Sequence, residues 1–158
     1  MPEMTDFILD EIDTGILNLL QIDGELTYKE ISGKLKRSKS TIVERIKNLK
    51  DAGYIEKKVA LINIQKIRNI FTAFPLVQLK NHGQDSIDIF KQEMGRHAQV
   101  MECYHVTGNF DFMLKVVTID MTAYNDFLRE NISANPLVGK IQSFMVLSQS
   151  KRETAYMI

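Results

Sequence analysis

The chain has 158 residues, of which 44% are hydrophobic and 25% are charged, a composition typical of a soluble protein with one ordinary domain or two small ones. Its formal net charge is zero, Cys103 is its only cysteine, and no apolar run approaches the roughly 18 residues of a membrane span. These features exclude an internal disulfide, a cysteine-based metal site and a transmembrane helix, and the lack of an apolar signal segment predicts a cytoplasmic protein.

Basic residues are concentrated in one part of this neutral chain. Residues 28–58 contain ten Lys or Arg against four Asp or Glu. Between Lys34 and Lys50, seven basic residues are opposed only by Glu44. A basic segment in an otherwise neutral chain suggests a nucleic-acid-binding module attached to a second domain.

Residues 1–54 are predicted to form a small domain of three helices. Residues 1–6 are expected to be a loose start, and residues 7–22 carry apolar side chains at helical spacing up to the Asp-Gly pair at 23–24. Two shorter helices follow, and their apolar positions are Ile31, Leu35, Ile42, Ile46 and Leu49. With Gly53 suited to the position after the last helix, this is the outline of a winged-type helix-turn-helix head, whose second motif helix enters the DNA major groove.

The last of these helices and the turn before it supply the predicted DNA-binding residues. On a helical wheel, five polar residues lie opposite the apolar stripe and are candidates for base edges: Ser40, Thr41, Glu44, Lys47 and Asn48. Ser38 is the predicted N-cap, and Lys36, Arg37 and Lys39 in the turn are predicted to contact phosphates. Arg45 flanks the stripe and is expected to contact a phosphate or an internal carboxylate. The alternative interpretation is a solvated, Lys-rich helix face.

Residues 55–70 are predicted to form an extended connector, and residues 71–158 a second domain. Its pattern indicates strand, helix, strand, strand, helix and strand over residues 72–79, 85–94, 100–107, 112–118, 122–132 and 138–148. This is the order of the ferredoxin-like βαββαβ fold, so the whole chain is predicted to be α+β. Pro75 predicts that the first strand lies at an edge or carries a bulge.

Helices are expected to cover one face of the predicted sheet, and a second copy of the chain the other. Five apolar residues are assigned to that other face, more than a wet sheet tolerates: Phe71, Phe74, Met113, Phe144 and Met145. A homodimer is the natural solution because two-fold symmetry brings the same patch of both partners together.

The loop between the second and third strands has groups that could hold a small zwitterion, and the family resemblance described below implies that an effector binds near it. Its backbone N–H groups would hold a carboxylate, and Asp111 would meet an ammonium group. In the alternative interpretation, Asp111 only stabilises the turn. The predicted effector-binding residues are Tyr104, Gly108, Asn109, Phe110, Asp111 and Ser143.

Three segments, spread over residues 9–128, carry a family resemblance. They are LDEIDTGILNLLQIDGELTYKEIS at 9–32, SKSTIVERIKNLKDAGYI at 38–55, and ECYHVTGNFDFMLKV at 102–116 followed by DMTAYNDFL at 120–128. They resemble the leucine-responsive/asparagine-responsive (Lrp/AsnC) family of transcription regulators. The resemblance implies a dimeric, often octameric regulator that binds double-stranded DNA. It also implies that small effectors, usually amino acids, bind between dimers near the hairpin of Gly108 and Asp111.

The chain departs from the family pattern in two places. The family's recognition helix usually opens with two prolines around a Ser or Thr, where this chain has Lys39 and Thr41. The turn is therefore predicted to be less rigid and more basic. The family's last strand usually offers two hydroxyl residues to the effector, but here Ile141 replaces one and Ser143 keeps the other. We therefore expect an apolar amino acid as effector.

Two other functions were weighed against a ligand-responsive transcription regulator. Some tetrapyrrole decarboxylases resemble this family in fold, but no cluster of His and Arg for a cofactor cleft is evident in this sequence. His82, His97 and His105 are not spaced as metal ligands, so no metal and no cofactor are predicted. A subunit that only assembles and senses is disfavoured by the basic segment. The sequence therefore predicts a regulator that is not an enzyme.

Overall fold

The structure is a computed structural model, and it describes residues 8–158. The expected loose start at residues 1–6, and Phe7 as the first residue of the first predicted helix, lie outside the described residues. The chain forms two compact units. The described part of the N-terminal unit, called here the head, comprises residues 8–61 and 151–158, and the sheet domain comprises residues 62–150. The last eight residues thus lie in the head, whereas the sequence pattern assigned them to the second domain.

The head contains three helices, each begun by a side-chain cap: α1 (Glu11–Ile22), α2 (Tyr28–Leu35) and α3 (Lys39–Asp51). The Asp10 carboxylate accepts the N–H groups of Ile12 and Asp13, both at 2.9 Å, and the Asp13 carboxylate accepts the Asp10 N–H at 3.2 Å. Thr27 and Glu30 form the same reciprocal cap at α2. These caps satisfy the N–H groups that a helix leaves unpaired in its first turn.

The ends of α2 and α3 use left-handed backbone conformations. Lys36 closes α2 with φ of 52°, and Gly53 follows α3 with φ of 81°. The Tyr54 N–H donates to the Leu49 carbonyl at 2.9 Å, and the Gly53 N–H to the Lys50 carbonyl at 3.0 Å. This pair of bonds is a Schellman motif, so the predicted role of Gly53 after the helix is confirmed.

A small apolar core holds the three helices together. Its buried residues are Ile16, Ile31, Ile42, Ile46 and Leu49. The predicted stripe on α3 is therefore the buried face of that helix, which turns the polar face outward. The following residues, 55–63, form neither helix nor strand.

The last eight residues given in the sequence are held on α1 by hydrogen bonds between their main-chain groups and side-chain amides of that helix. The side-chain amide of Gln21 donates to the Tyr156 carbonyl at 2.6 Å and accepts the Tyr156 N–H at 2.7 Å. One turn earlier, the Asn18 amide donates to the main-chain oxygen of Ile158 at 3.1 Å. The head is therefore assembled from two segments that are far apart in the sequence.

The sheet domain has the predicted βαββαβ order. Its elements are a short 3-10 turn (Ile64–Lys66), β1 (Phe71–Leu79), α4 (Gln84–Met94), β2 (Val100–His105), β3 (Phe112–Thr118), α5 (Met121–Phe127), a π-helical continuation (Leu128–Ser133) and β4 (Val138–Met145). The four antiparallel strands lie in the order β2-β3-β1-β4, which confirms the ferredoxin-like topology. Together with the helical head, this gives the predicted α+β class.

Helices α4 and α5 cover one face of this sheet. The core between them consists of Ala73, Val77, Leu79, Ile87, Phe90, Met94, Phe112, Leu114, Val116, Tyr124, Phe127, Ile132 and Val138. Because side chains alternate along a strand, the residues between the core positions of β1 and β3 point to the other face, called here the open face. That face carries Phe74, Leu76, Met113, Val117 and Phe144.

The prediction that Pro75 marks an edge strand or a bulge is wrong. β1 pairs with β3 on one side and β4 on the other, and Pro75 lies opposite Ser143 in regular register. On the β3 side, the β1 residues with a paired partner are Phe71, Thr72 and Ala73 and then Leu76 and Val77, so the ladder is interrupted beside the proline. The missing N–H of proline is thus accommodated within a central strand, and the bulge toward β4 lies further on, between Gln78 and Leu79.

Two of the five apolar residues that the sequence analysis assigned to the open face lie on the helix-covered face instead. Phe71 packs against the core, with its ring centroid 5.5 Å from that of Tyr124. Met145 lies opposite Ala73, a buried core residue, and therefore shares its face. The start of β1 and the end of β4 are apolar on both faces, so the sequence does not show which of these side chains points to which face.

Candidate functional site

Most of the predicted DNA-binding residues lie on the solvent-facing side of the head. The exposed ones are Lys36, Arg37, Ser38, Lys39, Ser40, Glu44 and Lys47. Thr41, Arg45 and Asn48 are half-buried, so their side chains are less available than a helical wheel suggests. The outer face of α3 and the turn before it therefore form one surface, called here the basic surface.

The cations of the basic surface carry uncompensated charge. Among residues 8–158, the structure shows no ion pair for Lys36, Arg37, Lys39 or Lys47. Cations without internal partners can neutralise external anions without first breaking a contact. This is the arrangement that the phosphate backbone of DNA requires.

Hydroxyl groups brace the turn that leads into α3. Ser38 Oγ accepts the Thr41 N–H at 3.1 Å and lies 2.8 Å from the hydroxyl oxygens of both Ser40 and Thr41. The hydroxyl of Ser32 donates to the Arg37 carbonyl at 2.5 Å. Hydrogen bonds thus hold the turn, which has no proline at Lys39 or Thr41.

Arg45 is engaged within the head. Its Nη1 lies 2.8 Å from Asp10 Oδ2 and 3.0 Å from Asp13 Oδ2, so it has the internal carboxylate partners that its position beside the stripe suggested. The Asp13 side chain is 0% exposed, whereas that of Arg45 is 33% exposed. Backbone hydrogen bonding at Asp13, aided by the Arg45 charge, lowers the pKa of Asp10 below its ordinary value.

Asp111 fixes the loop between β2 and β3 to the end of β1. Its Oδ2 accepts the Leu79 N–H at 2.7 Å, and its Oδ1 lies 2.8 Å from His82 Nδ1. Its own N–H donates to the Val77 carbonyl at 2.9 Å. Both carboxylate oxygens are therefore engaged, which supports the structural interpretation of this residue. Within the same loop, Gly108 has φ of 113°, a conformation that favours glycine.

The six predicted effector-binding residues do not form one cluster. Gly108, Asn109, Phe110 and Asp111 lie in the loop at one end of the sheet. Tyr104 lies opposite Met113 on the open face, where its hydroxyl donates to Glu102 at 2.7 Å. Ser143 faces the helices, and its hydroxyl lies 2.5 Å from that of the buried Tyr124. Burial raises the pKa of Tyr124, and the bond to Ser143 partly offsets that effect.

Three residues near these sites were missed by the sequence analysis. His82 pairs with Asp111, and Lys140 Nζ lies 5.6 Å from the ring centroid of Phe110. Val43 is 40% exposed on α3, where an apolar group can meet a thymine methyl. The position of His82 could have been predicted from the strand order, because antiparallel pairing of β1 with β3 brings the residues after Leu79 toward Asp111.

Two further properties concern the described part of the chain. None of the helices within residues 8–158 is both long enough and apolar enough to cross a bilayer. Over the same range, no three His, Cys, Asp or Glu side chains are grouped so that they could hold a metal ion.

Comparison with known proteins identifies each half of the molecule. Residues 9–56 match the winged helix-turn-helix DNA-binding model, and residues 72–156 match the Lrp/AsnC ligand-binding domain. The basic surface and the ferredoxin-like domain thus define a DNA-binding transcription regulator. The chain belongs to the Lrp/AsnC family.

Relatives of similar length support this assignment. The chain is 34% identical over 145 residues to the transcriptional regulator AzlB of Bacillus subtilis, covering 92% of each sequence. It is 30% identical over 150 residues to the leucine-responsive regulatory protein of Escherichia coli, covering 95% of this chain and 92% of that one. A transcriptional regulator from Neisseria meningitidis, solved as its L-Met complex, superposes with a TM-score of 0.86 at 29% identity, covering 95% of this chain and 97% of that one.

Proposed function

We propose that the basic surface binds DNA through phosphate contacts from Lys36, Arg37 and Lys39, with Ser40, Glu44 and Lys47 facing the bases. The observation that carries this proposal is the exposed, unpaired charge of these cations among the described residues. Thr41 and Asn48 lie at the border of the surface, where they are half-buried. Two heads of a dimer would bind half-sites separated by about one helical turn, roughly 34–36 Å, or a multiple of it.

The salt dependence of DNA affinity tests this surface. Removing both turn cations with Arg37→Gln and Lys39→Gln should reduce the slope of log affinity against log salt by about 3.6 for a dimer with both heads bound, because each phosphate contact contributes about 0.9 and each head loses two. The control is Lys91→Gln with Arg96→Gln, which removes the same charge from exposed positions of the sheet domain. An equal loss of slope in both double variants would contradict the assigned surface.

We further propose that an amino acid acts as effector at the loop of residues 106–111. The L-Met complex of the related Neisseria regulator supports an amino acid ligand. The loop's N–H groups suit a carboxylate, and the expected preference for an apolar amino acid rests on Ile141, which lies opposite Val77 on β4. Since Asp111 already binds Leu79 and His82, its main contribution would be to hold the loop in shape, with the ammonium as an additional partner.

A melting-temperature screen with L-methionine, L-leucine and L-glutamate tests the effector site. The apolar amino acids should raise the melting temperature and shift either the assembly state or the DNA affinity, since a ligand that binds both states equally shifts neither. Asp111→Ala should abolish the response while DNA binding without effector persists. Asp126→Ala, which removes an exposed carboxylate from α5, is the matched control. An unchanged response in Asp111→Ala would place the effector elsewhere.

We infer that the working unit is a homodimer formed through the open face and that dimers assemble further, up to an octamer, around the loop of residues 106–111. The exposure of Phe144 beside Phe74 supports burial of this face against a second copy. We also infer that the regulator acts in the cytoplasm by binding alone, without a catalysed reaction. Sedimentation of the purified chain at micromolar concentration tests the assembly, and a folded monomer would contradict it.

A further inference from the structure

Arg45 connects the recognition helix α3 to the start of α1. One guanidinium nitrogen lies within 3.0 Å of two carboxylates that are three residues apart on α1. Both carboxylates are themselves fixed, because Asp10 and Asp13 form the reciprocal cap that begins that helix. Arg45 is therefore bound to a rigid anchor rather than to mobile surface side chains.

Burial makes this arrangement costly to undo. The Asp13 side chain is fully buried, and among residues 8–158 its Oδ1 has no hydrogen-bond partner. A buried carboxylate that loses its cation is strongly destabilising, whereas a solvent-exposed ion pair with a phosphate is screened by salt. Moving Arg45 from Asp13 to a DNA phosphate would therefore exchange a strong constraint for a weak contact.

We propose that Arg45 is a positioning residue, which fixes α3 against α1 through Asp10 and Asp13 and makes no phosphate contact when the head binds DNA. The assignment rests on the proposed DNA-binding surface. Ser40, Glu44 and Lys47 lie on the outer side of the same helix, so a rotation of α3 would displace all three from the base edges. Loss of Arg45 then reduces discrimination between sequences, while the phosphate contacts from the turn persist.

Two matched substitutions separate positioning from phosphate binding. Arg45→Gln removes the internal cation, and Arg37→Gln removes an exposed cation eight residues earlier. DNA binding by both variants and by the parent is measured on two duplexes, between about 50 and 200 mM KCl. One duplex is selected from a random library by the parent protein, and the other has a random sequence. The readouts are the affinity for each duplex and its salt slope.

Positioning and phosphate contact give different results. Arg45→Gln should lose about tenfold in affinity for the selected duplex, as a mismatched base pair does, with unchanged affinity for the random duplex and unchanged slope. Arg37→Gln should reduce the slope by about 1.8 on both duplexes for a dimer with both heads bound, since each head loses one phosphate contact. The assignment would be overturned if Arg45→Gln reduced the salt slope as much as Arg37→Gln does. It would also be overturned if Arg45→Gln lowered the melting temperature but kept the parent's affinity for both duplexes.

A conservative substitution keeps the test informative if Arg45→Gln does not fold. Arg45→Lys retains a cation, but the lysine ammonium lies one bond nearer the main chain than Nη1, the atom through which Arg45 contacts both carboxylates. Positioning predicts a reduced affinity for the selected duplex at an unchanged slope, and retention of full affinity for that duplex would overturn it. A parent protein that enriched no duplex from the library and did not bind the random duplex would overturn the DNA-binding surface as well, whereas a change of slope in Arg45→Gln alone concerns only Arg45.

Discussion

The two units of this regulator expose different kinds of surface. On the head, the cations of the basic surface have no ion-pair partner among the described residues, and the apolar stripe of α3 is buried. On the open face of the sheet, Lys115 is neutralised by Glu102 at 2.6 Å, while the apolar Phe144 is 52% exposed. Unpaired charge suits an anionic partner, and a neutralised apolar face suits a second protein surface. The kind of partner that each unit binds is therefore indicated by the groups that the unit leaves exposed without an internal partner.

The largest expected effect concerns the open face. Phe144→Asp should dissociate the proposed dimer, because an unpaired charge buried in that interface costs about 3–5 kcal/mol. Sedimentation equilibrium measures the change in dimer affinity. Ile89→Asp is the control, since Ile89 is similarly exposed but lies on α4. If both variants stayed dimeric, the partner surface would have to lie outside the open face.

A smaller effect is expected on the basic surface. Lys47→Ala should weaken binding to a selected DNA site by about 1–3 kcal/mol if Lys47 reads a base, and should relax preference at one position. Lys50→Ala is the matched control, because it removes the same side chain from the last turn of the same helix. Equal losses in the two variants would mean that α3 contributes only diffuse charge.

The third effect concerns the stability of the head. Ser38→Ala removes the cap of α3 and should cost about 1 kcal/mol of unfolding free energy. Native-state hydrogen exchange should locate the loss in the head, where the buried core is small. Asp120→Ala removes the cap of α5, which accepts the Ala123 N–H at 2.8 Å, and should affect the sheet domain instead. If Ser38→Ala lowered protection equally in both units, they would not be energetically distinct.

The smallest effect is a pH dependence on the open face. Hydrogen bonds from Lys115 and then from Tyr104 lower the pKa of Glu102 below its ordinary value of 4.5. A carboxylate with a lowered pKa stabilises the fold above that ordinary value, and its contribution is lost as the pH falls through the folded-state pKa. The difference in melting temperature between the parent and Glu102→Gln should therefore be constant near neutral pH and shrink below about pH 4.5. A difference that stayed undiminished as the pH fell below 4.5 would exclude the ion pair as its source.

Sequence periodicity predicted the elements of both units because their apolar spacing agrees with their final structure. The stripe of α3 and the loop between β2 and β3 were located within a residue or two. Periodicity did not predict the position of residues whose place in the sheet depends on contacts with distant parts of the chain. The position of Pro75 depends on how the ladder around it is completed, and the face of Phe71 depends on packing with Tyr124.

The candidate sites were predictable to a different depth. Charge density along the chain located the basic surface without any three-dimensional information. The effector residues were harder to predict. Tyr104 and Ser143 lie on opposite faces of the sheet and on strands that are not neighbours, and the partners of Asp111 come from the end of β1 and the residues after it. The partners of Arg45 lie 32 or more residues earlier in the chain, a separation at which linear patterns carry no pairing information.

The docking of residues 151–158 on α1 has a consequence for synthesis of the chain. A ribosome makes the three helices of the head first, but the main-chain groups that bind Asn18 and Gln21 emerge only after the whole sheet domain has been translated. The unit that is begun first is therefore completed last, and a stalled or shortened product would carry a head in which one side of α1 is uncovered.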